Sequence, residues 1–170
     1  MDLAAISNAL RTNPRALDKF GEASASQLLE LLSAATGANV TDVAVFASSA
    51  LLAAARRGAL DRGAWENSLN AIRAPACAPA ARQQCARALA VACMKGANPV
   101  DDALAFGREA GVPGWIALGE ECPHKGGDGA SRWSRVAAAA LEAAATAGDA
   151  EALQCAARWL ETGACLRRGG

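Results

Sequence analysis

The sequence predicts an all-α chain, and three observations carry the prediction. Hydrophobic residues make up 52% of the 170 positions, and about half of them are Ala, which loses no side-chain entropy in a helix and ranks first in helix propensity. Strand formers are scarce: aromatic residues reach only 4% and Tyr is absent, so the β-branched and aromatic surface that a pleated sheet buries is missing. Helix starts and stops then recur at intervals of about one helix length. The expected architecture is a compact bundle or irregular stack of six to eight helices containing helical hairpins. The length fits one domain over residues 1–170, with a sub-boundary near 74–79 and a frayed, flexible tail over 163–170.

Residues 2–10 read as a candidate first helix ended by Asn13-Pro14, and 15–21 as an added turn. Ser24-Ala-Ser-Gln27 has the form of a capping box, and Leu28, Leu31, Leu32 and Ala35 mark one face of the helix behind it, which stops at Gly37. Thr41 is the expected cap of the next helix, with Val43, Phe46, Ala47, Ala50 and Ala54 at helical spacing. Arg56-Arg57-Gly58 closes that helix, cations meeting the negative dipole end and Gly taking the left-handed turn.

Asp61 is the expected cap of a helix whose apolar stripe is Trp65, Leu69 and Ile72, opposite Glu66, Asn67, Asn70 and Arg73. Ala74-Pro-Ala-Cys-Ala-Pro79 cannot continue a helix and reads as a connector. The helix over 79–95 becomes apolar all round, which predicts a central position. Asn98-Pro99 with Asp101 and Asp102 starts the next, which ends at Gly111, and Gly107 inside it marks close contact with a neighbour. A short helix over 113–121 precedes a Gly-rich loop over 123–129, and Ser131 or Asp128 caps an Ala-rich helix running to Ala147. Gly148-Asp149 stops that helix and caps the last, whose expected inward face is Leu153, Ala157 and Leu160.

Charge and cysteine usage narrow the function. There are 17 basic and 17 acidic residues, giving zero formal net charge, and the signs are interspersed. Proteins that neutralise phosphates show a basic stripe; none is visible, so nucleic acid is not an expected partner. The start lacks the cationic region and long apolar core of a signal peptide, and no apolar run approaches the roughly 18 residues of a membrane span. The expectation is a cytoplasmic protein with its six Cys reduced. Cys85 and Cys93, eight apart on one helix, are separated by about 12 Å of rise and cannot pair with each other.

The densest polar cluster is Glu120-Glu-Cys-Pro-His-Lys-Gly-Gly-Asp128. Cys122 and His124 are candidate metal ligands, with Glu121, Asp128 or Cys165 available to complete a site, because zinc takes thiolate, imidazole and carboxylate. His124 is the only His, and no Cys-x-x-Cys pair or second His accompanies it. A Cys-Pro dipeptide also occurs in haem-responsive segments. A thiol- or metal/haem-binding sensor or enzyme centred on Cys122 and His124 is therefore the alternative reading, and no cofactor is expected in the leading one. Lys125-Gly-Gly-Asp lacks the residue order of a phosphate-binding loop, and Asp101-Asp102 reads as a first-turn dipole partner, not a catalytic pair. Trp65 and Trp159 fall on or beside apolar helix faces. Trp115 and Trp133 flank the Gly-rich loop; core packing is the leading reading for each, because large aromatics dominate cores, and they are also the candidate partner-binding residues, since Trp is enriched at binding hot spots.

Two stretches carry family resemblances. Ala143-Ala-Ala-Thr-Ala-Gly-Asp-Ala-Glu-Ala-Leu-Gln, running on to Trp159-Leu-Glu-Thr-Gly163, resembles one turn of a Sel1-type or tetratricopeptide helical repeat. The order Ala110-Gly-Val-Pro-Gly-Trp-Ile-Ala-Leu118, a loop, an Ala-rich helix after Trp133 and a closing Trp159-Leu-Glu-Thr-Gly163 is similar to an Ala- and Trp-rich helical family of proteobacteria associated with type VI secretion neighbourhoods. The second likeness covers the C-terminal third, with Gly largely replacing Pro in the loop. Both imply helical bacterial proteins and neither supplies a catalytic residue. The function expected from these readings is a non-enzymatic module that binds another protein: an adaptor, chaperone, immunity or secretion-accessory factor.

Overall fold

The structure, a computed structural model, describes residues 2–121 and 128–163. Among the described residues every regular element is a helix: α1 (Leu3–Thr12), a 3₁₀ segment (Pro14–Glu22), α2 (Ala25–Gly37), α3 (Thr41–Arg56), α4 (Arg62–Arg73), α5 (Pro79–Met94), α6 (Pro99–Ala110), α7 (Val112–Glu121), α8 (Asp128–Ala147) and α9 (Ala150–Thr162). The chain is all-α. The elements exceed the six to eight expected because short segments at Leu3–Thr12, Pro14–Glu22 and Val112–Glu121 each close their own turns. No helix among the described residues is long and apolar enough to cross a membrane.

The chain divides into two compact units, Met1–Ala92 and Cys93–Gly170. The division falls inside α5 and not at the 74–79 connector. The connector stays with the first unit because Arg82 clamps it, one Nη donating to the carbonyls of Ala74 (3.1 Å) and Cys77 (3.2 Å).

In the first unit α2 packs on α3 and α4, while α1 and the 3₁₀ segment pack on each other and on α3. The Ser24–Gln27 capping box is formed in both directions, Gln27 N–H donating to Ser24 Oγ and Ser24 N–H to Gln27 Oε1. Leu28, Leu31, Leu32 and Ala35 are all buried, as their spacing predicts. Asp61 accepts from Ala64 N–H at 2.7 Å and caps α4. The start of α3 differs from expectation. Thr41 is its first residue, Val40 holds the cap position without a side-chain bond, and Asp42 instead accepts from its neighbour Val43 N–H and from the Ser7 hydroxyl. Trp65 is half-buried, and the buried face of α4 runs through Ala64, Ser68, Leu69 and Ile72, with the Ser68 hydroxyl donating to the Ala64 carbonyl. In the second half of α5, Cys85, Ala86, Ala88, Leu89, Ala90, Val91 and Cys93 are buried, with Arg87 and Ala92 half-buried between them.

In the second unit α6, α7, α8 and α9 pack on one another. Ile116, Ala144, Ala152 and Cys155 form a buried cluster against which Val112 rests. The seam lined by Trp115, Ile116, Ala140, Ala144, Ala152, Ala156 and Trp159 holds no water-sized space. Helix α9 is turned relative to expectation: Ala152, Cys155, Ala156 and Trp159 face inward, while Leu153 and Leu160 are 37% and 42% exposed. The seam against α7 and α8 is lined by Val112, Trp115 and Ile116 of α7 and by Ala140 and Ala144 of α8. Helix α9 meets it with Ala152, Ala156 and Trp159.

Candidate functional site

The polar face of α4, opposite its buried stripe, meets one side of α2 along an open groove of about 660 Å³. On α2 the lining residues are Ser26, Leu29, Glu30, Leu32, Ser33, Thr36 and Gly37, an i, i+3/i+4, i+7 series that follows one side of the helix for nearly its full length. On α4 they are Asn67, Asn70, Ala71 and Ala74, and Cys77 of the connector closes one end. Leu29, Leu32 and Cys77 are buried and make the floor; Ser26, Glu30, Ser33, Asn67 and Asn70 are exposed on the rim. Among the described residues no hydrogen bond or ion pair engages the side chains of those five rim residues.

The closed end is built by contacts between α2 and the connector. Thr36 and Cys77 meet at that end of the lining, where the Cys77 thiol donates to the Ala78 carbonyl at 3.8 Å, so the carboxyl end of α2 lies beside the segment that leaves the carboxyl end of α4. Thr36 and Cys77 also line a second hollow of about 320 Å³, together with Asn39, Thr41 and Pro75. The Thr36–Cys77 contact thus separates two hollows along the same side of α2.

Of the residues lining the larger groove, Glu30 alone carries a formal charge. Burial pushes the Cys77 thiol above its ordinary value, opposed by the Arg82 guanidinium and by the Thr36 hydroxyl. Cys77 is therefore a neutral thiol at physiological pH. A nucleophile requires the thiolate and a positioned base, and no His lines the groove. Helix α2 has no basic residue in its last turn, and the Arg82 charge at the connector is taken up by the carbonyls of Ala74 and Cys77. The groove can hydrogen-bond and can attract a cation.

The residues singled out from sequence lie elsewhere. Trp115 and Trp133 are buried, at 4% and 7% exposure, and the expected aromatic surface beside the loop is not what the described residues present. Trp115 lies across Gly107, where a Cβ would meet its Cε3 at 2.4 Å, so the ring is packed into the α6–α7 contact. Cys122, His124 and Cys165 lie outside the described residues, as does the loop over 123–127. Among the described residues no group of three or more His, Cys, Asp or Glu could hold a metal ion. Cys77, Cys85, Cys93 and Cys155 are buried thiols outside any disulfide. Burial pushes the Cys85 thiol up to about 12, with a further contribution from Cys77, and the Cys93 thiol up to about 12, with a further contribution from the Asp102 carboxylate.

Sequence reasoning missed the groove because Asn67 and Asn70 read as the solvated side of an amphipathic helix. Comparison with known protein families, with curated proteins and with solved structures finds no match.

Proposed function

We propose that the chain is a non-enzymatic helical module that binds another protein, as an adaptor, chaperone, immunity or secretion-accessory factor, and that the α2–α4 groove is its binding site. The observation supporting this is the groove's make-up: an apolar floor of Leu29 and Leu32 beneath an exposed rim of hydroxyl, carboxamide and carboxylate groups with no partner among the described residues. Its volume lies within the roughly 300–1,000 Å³ of ligand sites, and such a pairing of apolar floor and polar rim is the anatomy of a protein-binding patch.

A photo-reactive amino acid placed at Asn70 tests the reading in cells of the source organism, with the same residue at Leu153 as a control. The expected result is a protein crosslinked from position 70 and not from 153, which then forms a complex with this chain when both are purified. Failure of any crosslinked protein to rebind in purified form, or saturation of the groove by a small metabolite, would sink it.

A further inference from the structure

We infer that the groove between α2 and α4 takes an extended polypeptide segment carrying a basic side chain, which pairs with Glu30 while Asn67 and Asn70 hold the segment's backbone. This rests on the reading of the groove as a protein-binding site and names the chemistry of the partner.

Shape argues for an extended chain over a compact molecule. The lining runs from Ser26 to Gly37 along α2, about 16 Å at 1.5 Å of rise per residue. An extended polypeptide covers about 3.3 Å per residue, so about five residues of a partner fit the trough. A compact ligand would fill a fraction of it and leave part of the polar rim without a partner.

The rim has the donors and acceptors that a backbone needs. A carboxamide donates through nitrogen and accepts through oxygen, so one Asn can bond the N–H and C=O of a single residue of an extended chain, which point to the same side. Asn67 and Asn70 are three residues apart, which places them on the same side of α4, and both are exposed lining residues. Ser26 and Ser33 offer hydroxyls from the opposite wall.

Charge selects the side chain. Glu30 is the one formal charge lining the groove, it is exposed, and the carboxyl end of α2, with no basic residue in its last turn, adds partial negative charge at the Gly37 end. No cationic side chain lines the trough. An acidic segment would face Glu30 without relief, whereas a Lys or Arg would gain a partner there.

The test uses the full chain and a displayed library of random dodecapeptides, with affinities of the enriched peptides measured by fluorescence anisotropy. The expected result is enrichment of peptides with a Lys or Arg at one position. Glu30→Gln should then weaken binding about tenfold or more, and Asn70→Ala about fivefold, at unchanged thermal midpoint because both residues are exposed and unengaged. Replacing the peptide's basic residue with Gln should cost the same in the wild type and cost nothing further in Glu30→Gln, which ties that residue to this carboxylate. Glu30→Arg gives a second variant, expected to reverse the charge preference. The inference is overturned by enrichment of acidic or purely apolar peptides, by affinities indifferent to Glu30→Gln, by arginine amide or spermidine binding as tightly as the peptide, or by no enrichment at all. A crosslinked partner at position 70 whose binding ignores Glu30→Gln would remove this inference and leave the interaction reading standing.

Discussion

At Gly107 one methyl group decides how α6 meets α7, because a Cβ there would lie 2.4 Å from the Trp115 ring. Overpacking of this kind costs about 1–3 kcal/mol, and the gain from replacing a mid-helix Gly by Ala offsets only about 1 kcal/mol. Gly107→Ala should therefore lower stability by up to about 2 kcal/mol in urea denaturation and shift the Trp emission. Gly37→Ala is the contrast: it has open space around it and should be neutral or stabilising by up to about 1 kcal/mol. Ser24→Ala removes the acceptor for Gln27 N–H and should cost about 1 kcal/mol. These residue-scale features were legible in the sequence. Ser24 and Gln27 stand at capping-box spacing, and a lone Gly within a helical pattern signals close approach. The identity of Gly107's neighbour was not legible, because it depends on how two helices cross.

Element-scale reading succeeded where one face was clearly the more apolar and failed where two faces competed. In α2 the stripe of Leu28, Leu31, Leu32 and Ala35 had no rival and is buried. In α9 the Leu153–Ala157–Leu160 stripe competed with Ala152–Cys155–Ala156–Trp159, and the second is buried. That stripe carries Trp159, which lines the seam with Trp115 and Ile116, a neighbourhood that helical spacing alone does not reveal. The same logic explains the groove: its walls are the polar sides of α2 and α4, which periodicity assigns to solvent. The turned orientation of α9 makes a sharp prediction. Leu153→Gln and Leu160→Gln should each cost less than about 1 kcal/mol because both side chains are already partly in water. Ala156→Leu, nominally the more conservative change, should cost about 1–3 kcal/mol by overpacking the seam. The reverse order of costs in chemical denaturation would place the leucines inside.

At the scale of the whole chain, composition sufficed for the all-α class, but not for the division within α5, where a continuous, largely buried helix carries no local mark of a boundary. The alternative centre at Cys122 and His124 is settled by elemental analysis of untagged protein, for which we expect no stoichiometric zinc or iron; a one-to-one metal lost on Cys122→Ser or His124→Ala would establish it. The buried thiols make a prediction about global stability. Cys85 and Cys93 are pushed from about 9 to about 12 by burial, so the folded state holds their protons in a range where the unfolded chain releases them. The stabilisation this represents is fully present below about pH 9 and is lost as pH rises toward 12. Each thiol contributes a slope of up to about 1.4 kcal/mol per pH unit in that window, and the absence of Tyr removes one other group that titrates there. Stability measured by urea denaturation under reductant should be level from pH 7 to 8.5 and then fall. The fall should be shallower in Cys85→Ala and Cys93→Ala, each compared with its own value at pH 7. In the same experiment iodoacetamide at pH 8 should modify Cys85 and Cys93 slowly in the folded chain and rapidly in urea. An alkaline slope unchanged in the double variant would mean that burial of these two thiols does not govern it.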